Sequence, residues 1–146
     1  MDSKEFKTVF GEVAKAHDFK KAFSGWYKES PECLAILELQ KSNFGDYYQL
    51  NIKIFIQGVF EKTYLPSKGL IKSSMGHVNS SETKDYKNVF DFDKPMDDNI
   101  REERLKELFE KHIVPFTNKT LSKSGVKELA EKGEITLLPA VKKELA

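Results

Sequence analysis

Glu38 and Gln40 lie in one β-strand pattern, and Gln49, Asn51 and Lys53 lie in the next. Side chains two residues apart on a strand share a face. Together these five supply a carboxylate, three amides and an ammonium on rigid elements. Amides both donate and accept, so such a set can read a small polar ligand or a peptide backbone. Glu38 could act there as an acid or base. Tyr47, Phe44 and Trp26 are the aromatic residues expected to wall the cluster. The competing reading is an ordinary water-facing sheet surface.

Other constellations are weaker. His17, His77 and His112 show neither H-x-x-x-H spacing nor a partner cysteine pair, so no metal site is expected. His112 falls on a helix stripe and reads as a packed or capping histidine. His17 ends a helix, where a cation is favourable, and His77 sits in a serine-rich loop. Cys33 occupies an apolar strand position rather than a helix N-terminus that would activate its thiol. G-x-S-x-G is absent, and Gly69 and Gly76 are too isolated to form a phosphate loop. Asp91 and Asp93 would share one face of a strand. A cation or acid–base role is open to them, but a solvated sheet edge is the simpler reading.

The elements that position the polar cluster come from Cys33 to Gln57. With Asn43–Asp46 as a four-residue loop, Ser42 faces Tyr47. Leu39 then lies across from Leu50, Leu37 from Ile52, Ala35 from Ile54 and Cys33 from Ile56. One face becomes wholly apolar. A slip of one residue sets Leu39 against Gln49 and Leu37 against Asn51. Each Leu or Ile turned outward forfeits roughly 1.5–3 kcal/mol. On the opposite face Leu34 meets Phe55, Ile36 meets Lys53, Glu38 meets Asn51 and Gln40 meets Gln49. Glu38 and Lys53 are diagonal neighbours within reach of an ion pair.

Asp2–His17 reads as an amphipathic helix, with Phe6, Val9, Phe10, Val13 and Ala14 on one stripe and an Asp2/Glu5 capping box. This helix is expected to cover the apolar sheet face. Phe19–Lys28 reads as a further strand, with Gly25 as a bulge or weak point. One or two more strands are expected in 57–96, at His77-Val78 and at Val89–Asp93. Asp97-Asp98 starts a helix with a stripe of Leu105, Leu108, Phe109, His112, Ile113 and Phe116, and Pro115 is expected to end it. Ser122–Lys132 is another helix stopped by Gly133, and Leu138-Pro139 opens a last one. The chain therefore predicts one α+β domain over 1–146. Its core is an antiparallel meander of four to five strands, with an N-terminal helix and C-terminal helices packed on it.

Bulk properties agree. Hydrophobic residues are 39% and include 11 Phe, which argues against disorder. The formal net charge is +1. Residues 1–30 carry six lysines and five acids, 31–96 eight and eight, and 97–146 ten basic and ten acidic residues. No linear basic segment exists, which argues against nucleic-acid binding and leaves only a patch assembled by folding. MDSKEFKTVF is not a secretory signal, and no stretch is long and apolar enough to span a bilayer. One cysteine fits a cytoplasmic setting.

The run LELQKSNFGDYYQLNIKIFI, with the upstream helix and FKKAFSGWYKES, resembles the bacterial family catalogued as domain of unknown function 4304. The matching features are Gln40-Lys41-Ser42 at a strand end and Asn51-Ile52 in the next strand. The resemblance spans most of the chain and is specific between Phe19 and Ile56. Lys53 stands where the family pattern carries a small residue. The resemblance implies a small cytosolic α+β protein and brings no activity or cofactor with it. The expected function is a non-catalytic module that binds a protein partner, in an immunity-type or regulatory role. The alternative is a small-molecule-binding protein or enzyme that uses Glu38, Gln40, Asn51 and Lys53.

Overall fold

A computed structural model describes all 146 residues. Helix α1 (Ser3–Ala16) starts as its sequence requires. The Asp2 carboxylate accepts from the Glu5 amide at 2.8 Å, and Glu5 accepts from the Asp2 amide. Phe6, Phe10, Val13 and Ala14 are buried beneath it.

Five strands follow: β1 (Lys20–Ala22), β2 (Gly25–Glu29), β3 (Cys33–Lys41), β4 (Tyr48–Ile56) and β5 (Val78–Ser80). They form one antiparallel meander in the order β1-β2-β3-β4-β5. The central pair has the register that burial demands. Leu37 lies across from Ile52, Leu39 from Leu50, and Glu38 from Asn51. The Ser42 amide donates to the Tyr47 carbonyl at 2.9 Å, closing the four-residue loop. β5 stops at Ser80, and the Glu82 carboxylate takes the next free β4 amide, that of Leu50, at 2.9 Å.

Phe19–Lys28 is not one strand. It folds back on itself at Phe23-Ser24, whose φ angles of 50° and 69° make a two-residue turn. Gly25 opens β2 rather than forming a bulge. A Cβ there would sit 2.8 Å from the Ile71 Cγ2 methyl and 3.0 Å from the Leu37 carbonyl, so glycine is required by close packing.

The sheet is covered on both faces. α1 lies on the face of Leu37 and Ile52, where Phe10 packs on Trp26 with ring centroids 4.9 Å apart. Phe109 joins Phe10 at 5.1 Å. The other face is partly closed by the 57–77 excursion and its short helix α2 (Lys68–Lys72). Ile71 is buried over β2 and β3, and Tyr64 stacks on Phe55 at 5.6 Å.

Val89–Asp93 is not an edge strand. Lys84–Phe90 winds into a 3-10 turn, and only Asp91 bridges back, to Tyr47. The cause is Arg101, which is 3% exposed. Its guanidinium donates to the carbonyls of Val89 (2.7 Å), Asn88, Asp91 and Lys94, and lies 4.3 Å over the Phe92 ring. These carbonyls serve a cation instead of a neighbouring strand.

Helix α3 (Asp98–Leu108) is capped by the Asp97 side chain. Pro115 does not end this arm. The chain widens into a π turn over Phe109–Ile113, in which the Val114 amide donates back to Phe109, and continues as α4 (Val114–Thr120). The wider turn accommodates a residue with no amide hydrogen and a bulky ring. Helices α5 (Lys123–Glu131) and α6 (Pro139–Leu145) close the fold, burying Val126 and Val141.

Candidate functional site

Four of the polar residues expected to form a site are brought together by the β3–β4 register. The Asn51 amide donates to Glu38 Oε1 at 3.1 Å and to Gln40 Oε1 at 2.9 Å. The Lys53 ammonium donates to Glu38 Oε1 at 3.0 Å, to the Ser73 carbonyl at 2.9 Å and to the Ile71 carbonyl. Lys53 is 1% exposed. All three of its protons are therefore engaged, and both Asn51 amide protons as well. Its alkyl chain continues the apolar layer of Ile36 and Phe55, while its head pins the 71–73 main chain to the sheet. Glu38, Asn51 and Lys53 thus work as a strut between β4 and the excursion.

The rest of the expected set divides between two places. Tyr47, Gln40 and Gln49 surround a depression of about 310 Å³ at the open end of the hairpin, beside Phe44. Gln49 and Phe44 are exposed, Phe44 to 95%. Trp26 does not wall this cluster. It pairs with Leu37, so it points to the opposite face and packs beneath α1. A residue one step along β3 would have placed it otherwise, and no spacing within FSGWYKES reveals which.

Asp91 and Asp93 hold loops together. Asp91 Oδ1 accepts from the Asp93 amide, and Asp93 Oδ2 accepts from the Asp46 amide, each at 3.0 Å. No group of three or more His, Cys, Asp and Glu side chains converges in a way that could hold a metal ion. Cys33 is fully buried, and burial, with Glu32 nearby, pushes its thiol up to about 12.

Two histidines have partners that only the fold supplies. His77 Nδ1 accepts from the Ile56 amide at 2.8 Å, with Tyr64 and Phe55 edge-on at 4.7 and 5.3 Å. His112 Nε2 lies 3.0 Å from Ser80 Oγ, and both residues line a cleft of about 460 Å³. Burial lowers the pKa of both; a hydrogen bond with the Ser81 main chain partly opposes this at His112. The Ser80–His112 pair has the atoms of a nucleophile and base, but no carboxylate orients the imidazole. Its only sequence signal was a histidine on a helix stripe.

No helix is long and apolar enough to cross a membrane. A family model described as "Domain of unknown function (DUF4304)" matches residues 10–119, about three quarters of the chain. No curated protein and no solved structure matches it.

Proposed function

The chain belongs to the DUF4304 family, and from that premise we propose that it is a non-catalytic binding module for a protein partner, in an immunity-type or regulatory role. One observation carries the reading: Phe44, 95% exposed, stands at the tip of the rigid β3–β4 hairpin beside Tyr47 and the amides of Gln40 and Gln49. Aromatic side chains with hydrogen-bonding neighbours are the usual anchors of protein interfaces. Burying Phe44 against a partner would contribute roughly 1.5–3 kcal/mol. The proposed setting is the cytoplasm of a bacterium, which agrees with a single, buried thiol.

The alternative, a small-molecule site or enzyme centred on Glu38, Gln40, Asn51 and Lys53, draws less support. Lys53 has no proton left for a ligand, and the Asn51 amide is committed to its neighbours.

The test is affinity capture from the source cell with the wild-type chain and with Phe44→Ser. Phe44 makes no core contact, so the variant should keep its circular dichroism spectrum. A stoichiometric partner retained by the wild type and lost with Phe44→Ser is the expected result. A wild-type bait that retains no stoichiometric protein would overturn the reading.

A further inference from the structure

We propose that the cleft between α1 and the β1–β2 hairpin is a binding site for a small polyanion carrying two or more phosphoryl groups. The cleft lies on the opposite sheet face from the polar strut, and the proposal is independent of partner binding at Phe44. It encloses about 650 Å³, within the range of small-ligand pockets. Lys4, Lys7 and Lys15 come to it from α1, and Lys20 and Lys21 from β1, while Glu12 is its one acid. Residues 4, 7, 11 and 15 recur at helical spacing, so a single helix face delivers three of the lysines. Lys21 stands across from Trp26 and shares its face.

Folding therefore separates charges that alternate along the chain. Five of the six lysines of residues 1–30 line this cleft, and only one of the five acids does. None of the five lysines belongs to an ion pair, whereas seven lysines elsewhere do. The formal excess is four positive charges around one concavity. Such a focused field attracts anions, and lysine ammoniums bind phosphate as point charges.

The floor of the cleft supplies a second, independent feature. Trp26 is 3% exposed and lines the cleft, yet its indole N–H makes no hydrogen bond within the protein. No side-chain nitrogen or oxygen that is cut off from solvent lacks a partner. The indole nitrogen must therefore reach the cleft. Gly11 leaves it uncovered, since a Cβ at that position would sit 3.1 Å from Trp26 Nε1. A directed donor at the base of a lysine rim suits an oxyanion seated against the indole edge.

Compactness favours a small ligand over a nucleic-acid strand. Strand binding tracks a continuous basic surface, and beyond residue 30 basic and acidic residues are equal in number.

Trp26 is the only tryptophan, so its fluorescence reports directly on the site. Inorganic tripolyphosphate, ATP and a single-stranded oligonucleotide are titrated separately, with calorimetry to fix stoichiometry. The expected result is saturable one-to-one binding of tripolyphosphate or ATP that weakens with added salt. Lys7→Glu and Lys21→Glu should each weaken it roughly tenfold or more. Gly11→Ala should weaken it too, while circular dichroism stays unchanged. No saturable response at millimolar tripolyphosphate or ATP would overturn the proposal. So would binding indifferent to both lysine substitutions, or tighter binding of the oligonucleotide than of tripolyphosphate.

Discussion

Lys53 and Glu38 sit on adjacent strands with Nζ and Oε1 3.0 Å apart, and the lysine is almost wholly buried whereas the carboxylate retains 19% of its side-chain exposure. The asymmetry reflects what each does. The ammonium ties the 71–73 main chain to the sheet, and the carboxylate balances it from the edge of the solvent. Removing the lysine leaves the Glu38 carboxylate without its counter-charge and the Ile71 and Ser73 carbonyls without their donor. Lys53→Ala should therefore cost about 3–5 kcal/mol. Lys53→Met with Glu38→Gln should cost clearly less, because no uncompensated charge remains. Urea denaturation of the two variants measures the difference.

Arg101 holds four carbonyls of the 88–94 segment. A lysine cannot reproduce that fork. Arg101→Lys should lose roughly 2–3 kcal/mol and deprotect the amides of 86–93 selectively. Hydrogen exchange should show those amides opening while the β3–β4 ladder stays protected.

Cys33 should be inert in the native state. Its thiol is buried and raised to about 12, so it holds almost no thiolate at neutral pH. Labelling with a thiol reagent should track unfolding, with a rate that rises through the denaturation midpoint. Fast labelling without denaturant would contradict the packing around β3.

His77 makes stability depend on pH. Its Nδ1 accepts a main-chain hydrogen bond and burial lowers its pKa, so the native state resists the proton that the unfolded chain takes up near pH 6.5. Protons are then bound on unfolding, and stability is highest above that value. It should fall as pH drops from about 6.5 towards the lower folded pKa, by at most about 1.4 kcal/mol per pH unit for each such group. His112 acts in the same direction. His77→Asn keeps an acceptor for the Ile56 amide and should flatten the slope, read as urea midpoints at pH 7.5 and 5.5.

The Phe23-Ser24 turn carries two non-glycine residues at positive φ. Asn-Gly suits this geometry far better. Phe23→Asn with Ser24→Gly should stabilise the protein by about 1 kcal/mol, seen as a rise of a few degrees in Tm.

The central hairpin was legible from the chain alone. Leu37, Leu39, Leu50, Ile52 and Ile54 recur at every second position, with polar residues between them towards the turn, and only one register buries them together. The Asp2 capping box, the helix start at Asp97-Asp98 and the stop at Gly133, with φ 74°, were legible for the same local reason. A few residues of sequence contain both donor and acceptor.

Tertiary structure alone decided the rest, because the partners lie far apart in sequence. Val89–Asp93 alternates like a strand, but Arg101 engages its carbonyls from a helix ten residues away. Pro115 resembles a stop, yet a π turn absorbs it. Glu38, Asn51 and Lys53 form a polar set whose role depends on the carbonyls of Ile71 and Ser73 arriving above it. Trp26 and five lysines meet only because a helix and a hairpin fold over one another, gathering charges that balance when counted along the chain. Local patterning sets which side chains share a face; long-range packing sets what each face meets.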